Sequence, residues 1–132
     1  MLRDEDYSHL LAFRDGLRRF MRWSDQYART AGITSSQHQL LLAVRGHGSP
    51  PSIGEIAEHL MLRHHSVVEL VDRAAEAGLV ERLVDEEDQR VVRLATTPEG
   101  ARLLDSLATA HVEELSRLSP HFESLWDGLP AH

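Results

Sequence analysis

Residues 52–97 read SIGEIAEHLMLRHHSVVELVDRAAEAGLVERLVDEEDQRVVRLATT, and the changing periodicity of this stretch decides the fold. Ser52-Ile53-Gly54-Glu55 has the Ser-x-x-Glu spacing in which the hydroxyl accepts from a backbone N–H three residues on and the carboxylate reaches back to the serine's own N–H. A helix therefore starts near Ile53, with Ile56, Ala57 and Leu60 on its apolar face. After a break over Met61 to Arg63, Val67, Leu70, Val71 and Ala74 form a second apolar stripe. His64, His65, Glu69, Asp72, Arg73 and Glu76 lie off it, and Gly78 stops the helix. From Leu79 the pattern alternates: Val80, Arg82 and Val84 lead into the polar run Asp85 to Arg90, after which Val92 and Leu94 alternate with Arg93. Two alternating runs joined by a polar turn predict a hairpin over residues 79–95. Two short helices followed at once by a hairpin make a winged helix-turn-helix, whose second helix enters a major groove while the hairpin tip reaches the backbone or a minor groove.

Four pieces in order, Leu70-Val71-Asp72-Arg73, Gly78-Leu79-Val80-Glu81-Arg82, Asp88-x-Arg90 and Leu94-Ala95-Thr96-Thr97-Pro98-Glu99-Gly100, resemble the MarR-family transcriptional regulators. The resemblance runs from about Thr34 to about Leu118. It implies a homodimer on double-stranded DNA, with the first and last helices as the dimer interface. It also implies a small, often aromatic or phenolic, anionic effector bound between those helices and the reader.

At 132 residues the chain is one domain's worth. The start MLRDEDYSHL is charged where a leader would need an apolar run, and no stretch approaches the roughly 20 apolar residues that span a bilayer, so a cytoplasmic protein without membrane contact is expected. With no cysteine, disulfides, zinc–thiolate clusters and thiol redox sensing are excluded. The net charge of −7 argues against indiscriminate binding to phosphate backbones. Residues 52–97 share that acidity, with five arginines against ten carboxylates, so what matters is which face each charge occupies.

Residues 5–31 read as a long amphipathic helix carrying Leu10, Phe13, Leu17, Phe20, Met21, Trp23 and Tyr27. Arg14, Arg18, Arg19, Arg22 and Arg29 lie largely off its apolar line, either as a solvated face or as a contact with a partner chain or flanking DNA. Thr34-Ser35-Ser36-Gln37 is a second capping box and opens a helix running to Gly46-His47-Gly48; a loop over Gly48-Ser49-Pro50-Pro51 follows. Thr97-Pro98 starts the last helix, which carries Leu103, Leu104, Leu107, His111, Leu115 and Leu118 before Ser119-Pro120 interrupts it. A short terminal helix with Phe122, Leu125, Trp126 and Leu129 is expected beyond. So much terminal apolar surface exceeds what a small reader covers, which points to two chains packing together. The expected organisation is one MarR-type domain over 1–132, mainly α with a small β-hairpin wing, with dimerisation helices at 5–31 and 97–130 flanking a reader at 34–96.

For the second helix of the reader, the DNA-facing set is His64, His65, Ser66, Glu69 and Arg73, with Arg63 at its start near phosphate. Arg63 is a poor cap, and Ser66-Val67-Val68-Glu69 offers a cap one turn later, so two helix starts are open. Glu69 either accepts from a cytosine amine or weakens binding through repulsion by phosphate. The resemblance makes Arg90 the residue that enters the minor groove and Asp88 the carboxylate that orients it; as a local salt bridge the pair would only shape the turn. Asp85, Glu86 and Glu87 would be repelled by DNA unless the loop turns them away. Trp23, His38 and His111 are candidate walls of an effector pocket. The nine histidines raise the question of a metal, for which His111 with Glu114, or His38, could supply ligands, but no His-x-x-x-His or Glu-x-x-His pair stands on one helix, so no metal site and no cofactor is expected. Nucleophile elbows, phosphate-cradling glycine loops and paired acid–base groups are missing, so an enzyme is not expected. The reading is a ligand-responsive repressor acting as a homodimer on a pseudo-palindromic operator. The alternative is a winged-helix dimer serving as a protein-interaction or metal-sensing module.

Overall fold

The computed structural model describes residues 1–130. The elements follow in the order α1 (Asp4–Thr30), α2 (Ser35–Gly46), α3 (Ile53–Leu60), α4 (His64–Glu76), β1 (Val80–Val84), β2 (Val92–Thr96) and α5 (Pro98–Asp127). The starts of α2 and α3 are fixed locally. Thr34 Oγ1 accepts from the Gln37 N–H at 3.1 Å and the Thr34 N–H donates to Gln37 at 3.1 Å; Ser52 and Glu55 repeat the exchange at 3.2 and 3.0 Å. Met61 ends α3 in the left-handed region at φ 55°, so the turn into α4 is made by a non-glycine residue.

Helix α4 begins at His64 with Arg63 at the N-cap, which makes no side-chain capping bond. Of the two starts the sequence left open, this removes the one capped by Ser66. The Arg63 carbonyl accepts from the backbone N–H groups of Ser66 and Val67 at 3.1 and 3.2 Å, which closes the first turn at His64 without a side-chain cap. Helix α4 ends at Ala77 and Gly78, whose φ of 76° only glycine adopts without strain.

The strands pair antiparallel with Val80 opposite Thr96, Arg82 opposite Leu94 and Val84 opposite Val92. This hairpin is tied to the reader by a short third rung. The Leu94 N–H donates to the Pro51 carbonyl at 2.9 Å, and Ser52 bridges Arg93. Leu94 is thereby drawn into the core with Leu40, Leu41, Ile56, Val67, Val71 and Leu107, all fully buried. At about 1.5–3 kcal/mol for each large side chain withdrawn from water, α2 and the residues around it hold the domain together.

One expectation fails. The last helix is not interrupted at Ser119-Pro120: α5 runs unbroken from Pro98 to Asp127 with Pro120 inside it. The proline deprives one carbonyl of its helical partner, yet packing on α1 keeps the following turns helical. Phe122 meets Phe13 edge to face at 5.4 Å between centroids, and Trp126 lies 6.0 Å from the same ring. Gly16 admits this approach, since a Cβ there would sit 3.1 Å from the Phe122 ring.

Candidate nucleic-acid interface

Helix α4 presents its polar side to solvent. His65, Glu69, Asp72 and Glu76 follow one another at three- and four-residue spacing and form the outermost line, while Ser66 and Arg73 run along one flank and His64 along the other. Arg63, His64, His65, Glu69 and Arg73 are exposed and Ser66 is half-buried. Ser66, Glu69 and Arg73 line a cavity of about 310 Å³ together with Thr34, Ser36 and Gln37 at the start of α2. The expected set is thus on one accessible surface, but its most outward line is acidic. Arg82 of β1 pairs with Asp72 and offsets one of these charges.

At the tip of the hairpin Arg90 is held by Asp88 through two parallel bonds. Arg90 Nε donates to Asp88 Oδ1 at 3.0 Å and Nη2 donates to Oδ2 at 3.1 Å, while the Arg90 backbone N–H donates to Oδ1 at 3.0 Å. The pairing holds the Asp88 carboxyl below its usual range and lifts the guanidinium. The Arg90 side chain is nevertheless 89% exposed, so a pre-oriented cation stands in water at the tip.

Two residues the sequence did not single out for this role shape the turn. Asp85 points inward: its Oδ1 accepts from the backbone N–H groups of Glu87 at 2.8 Å and Asp88 at 3.1 Å, and its Oδ2 accepts from Arg93 Nε at 2.6 Å. Arg93, and then those two N–H groups, pull the Asp85 carboxyl below its ordinary range. Arg93 also donates to the Pro50 carbonyl and to Glu55 at 3.1 and 3.2 Å, linking the wing to the start of α3. Of the three tip carboxylates expected to repel DNA, Asp85 is therefore neutralised internally, while Glu86 and Glu87 stay exposed. The polar run over 85–90 marked the turn, but the pairing of Asp85 with Arg93 needed the hairpin register.

Trp23, His38 and His111 do come together, between α1, α2 and α5. His111 lies 4.8 Å from Trp23 and 4.6 Å from His38 between ring centroids. His111 Nδ1 lies 2.7 Å from the Leu107 carbonyl, which only accepts, so Nδ1 carries the proton and Nε2 accepts from Ser24 Oγ at 2.7 Å. Burial, and then His111, lower the pKa of His38 against the opposing pull of Asp25. These rings pack on one another, whereas a cavity of about 400 Å³ between α2 and α5 is lined by Leu42, Arg45, Ala101, Arg102, Leu104, Asp105 and Ala108.

The winged helix-turn-helix is also what known proteins share with this chain. The family model described as MarR family matches residues 31–91. Over that stretch the chain is similar to the MarR family. It is 31% identical over 94 residues to the HTH-type transcriptional regulator PecS of Dickeya dadantii, covering 69% of this chain and 57% of PecS. An uncharacterized HTH-type transcriptional regulator of Bacillus subtilis, YsmB, is 37% identical over 76 residues, covering 58% of this chain and 50% of YsmB. The chain thus spans little more than half the length of the curated relatives it matches. Both carry the name of transcriptional regulators. Among solved structures, the MarR-family transcription regulator SP03579 superposes with a TM-score of 0.79 at 21% identity over 92% of this chain and 80% of that one, which establishes the MarR fold. Among the described residues, no helix is long and apolar enough to cross a membrane.

Proposed function

We propose that the chain is a sequence-specific, DNA-binding transcriptional regulator that works as a homodimer and represses until a small anionic effector binds. The observation that carries the DNA reading is the bidentate Asp88–Arg90 pair at the exposed tip of the wing. A planar guanidinium already held in place loses little entropy on entering the narrow, strongly negative minor groove. Arg63, His64, His65, Ser66, Glu69 and Arg73 would meet the adjacent major groove, phosphate contacts setting position and base contacts setting sequence. A MepR mutant of Staphylococcus aureus bound to an oligodeoxyribonucleotide shares this fold, at a TM-score of 0.69 and 24% identity over 86% of this chain and 82% of MepR, and lends the reading support.

The dimer rests on uncovered apolar side chains. Leu10, Leu17 and Met21 recur along α1, and Val112, Leu115 and Trp126 stand on α5, all exposed in the single chain. Pairing these helices across a two-fold axis would set two α4 helices about 10 base pairs apart on a pseudo-palindromic site. For the effector we favour a small aromatic or phenolic anion in the α2–α5 cavity, where Arg45 and Arg102 flank an apolar floor. The closely packed Trp23, His38 and His111 would sense it as a neighbouring wall. The rival reading, a protein-interaction module, draws on the acidic outer line of α4.

Anisotropy titration against the DNA upstream of the chain's own operon, at two salt concentrations, separates them. Specific binding that weakens with salt is expected of the regulator. Arg90→Ala should then weaken it by about 1–3 kcal/mol, roughly 5- to 150-fold. A variant that binds as wild type removes the wing tip from the interface, and absence of any specific complex favours the interaction module.

A further inference from the structure

The C-terminal ends of α2 and α3 bring two histidines head to head beside a carboxylate, in a cavity that shares only Leu42 with the proposed effector cavity. His47 is the C-cap of α2, and His59 lies in the last turn of α3. His47 Nδ1 stands 2.9 Å from His59 Nε2, and His47 Nε2 stands 2.7 Å from Glu55 Oε2. The Glu55 carboxylate is fixed in place by the Ser52 backbone N–H, which donates to its Oε1 at 3.0 Å. A carboxylate can only accept, so Nε2 of His47 carries the proton and its Nδ1 presents a lone pair toward His59. A tautomer fixed by a carboxylate on the far nitrogen is the arrangement that orients histidine for a metal and raises its basicity.

We propose that His47 and His59 bind a divalent late transition-metal ion, zinc or copper(II), with Glu55 as the partner that orients His47. The dimensions fit. The ring centroids are 5.2 Å apart at an interplanar angle of 81°. Two imidazoles bound at about 2.0–2.1 Å, with a near-tetrahedral angle at the ion and about 1.2 Å from nitrogen to ring centre, also place their centroids about 5.2 Å apart. The rings then need only pivot, by roughly 35° each from the present head-on alignment, and the exposed His59 is free to take most of that turn. His59 moves its proton to Nδ1 through solvent, and both ligands stay neutral. The field favours a cation, because two helix carboxyl ends converge on the pair.

Space is available as well. The two histidines border a cavity of about 370 Å³ with Gln39, Leu42, Ala43 and Leu60, room for the water ligands that complete the shell. Among the described residues no group of three or more His, Cys, Asp or Glu side chains is placed to hold a metal ion, so the affinity expected of two imidazoles and solvent is micromolar. Glu55 also accepts from Arg93, which holds Asp85 at the wing turn, so the site touches the brace of the wing.

The test is calorimetric titration of the full chain with Zn²⁺ and, separately, Cu²⁺ near neutral pH, with ring-nitrogen NMR shifts on the wild type. One ion per chain is expected, with shifts at His47 Nδ1 and His59 Nε2. His59→Ala should weaken binding at least 10-fold, and Glu55→Gln, which keeps the cap, by about 10- to 100-fold. His64→Ala with His65→Ala should leave it unchanged. Absence of saturable binding, wild-type affinity in His59→Ala, or shifts confined to other histidines would each overturn the proposal.

Discussion

Replacing Gly100 by alanine should destabilise the fold even though alanine is the better helix former. Gly100 is the third residue of α5, and its N–H donates to Thr97 Oγ1 at 3.0 Å. A Cβ there would overlap the Leu79 carbonyl oxygen and lie 2.9 Å from the Leu79 carbonyl carbon and 3.2 Å from its Cα. These are backbone atoms, so no side chain can swing aside. Relief requires α5 to retreat from the loop after α4, at the expense of the Thr97 N–H bond to the Leu79 carbonyl (3.1 Å) and the Thr97 hydroxyl bond to the Gly78 carbonyl (2.6 Å). Overpacking costs about 1–3 kcal/mol. Losing two hydrogen bonds adds about 1–3 kcal/mol. The helix propensity of alanine returns about 1 kcal/mol. The net is a loss of about 3 kcal/mol, or roughly 10 °C in Tm for a chain of this size. Gly54→Ala is the control, since its Cβ would meet only Ser52 Oγ at 3.9 Å and should leave stability unchanged or raise it by up to about 1 kcal/mol. Urea denaturation of both variants at one fixed protein concentration measures the difference. A Gly100→Ala protein as stable as the wild type would refute the close approach of α5 to Leu79.

Pro120→Ala should stabilise α5 by up to about 3 kcal/mol and raise the helical circular dichroism signal, because the exposed proline removes one backbone hydrogen bond from a continuous helix; a fall in either would mean that the ring itself makes a needed contact. Acid should loosen the reader in a defined window. Glu55, Asp85 and Asp88 all have folded-state pKa values below their ordinary ones, so their contribution is complete above the ordinary carboxylate range and is lost as pH falls below it, for Glu55 toward about 2. Urea midpoints taken across that window should decline less steeply in Glu55→Gln, and a slope identical to wild type would remove Glu55 from the linkage.

Much of the fold was legible because its signals are local. The Thr34 and Ser52 capping boxes need four residues each, and the change from helical to alternating period after Gly78 is complete within a few. Asp88 and Arg90 sit two residues apart, so their pairing was readable too. The start of α4 was ambiguous for the opposite reason: Arg63 and Ser66 offer no decisive local preference, and only the structure places the first turn at His64. Pro120 misleads a local reading because what overrides it, Phe13 and Gly16, lies about a hundred residues earlier. The Arg93 ties to Asp85 and Glu55, and the meeting of His47 with His59, depend on which side of a hairpin or helix end faces its neighbour, and periodicity leaves that choice open.

The order of residues alone determined that a helix pair and a wing follow one another, where most helices begin, and that an arginine has a carboxylate beside it at the turn, since each depends on hydrogen bonds within a few residues. Only the tertiary structure decided which charges are already satisfied, because Asp72, Asp85 and Glu55 find their partners across elements. It also decided that α5 continues past its proline and that two helix ends bring a histidine pair together. Packing free energy is shared among distant side chains, and no local rule contains it.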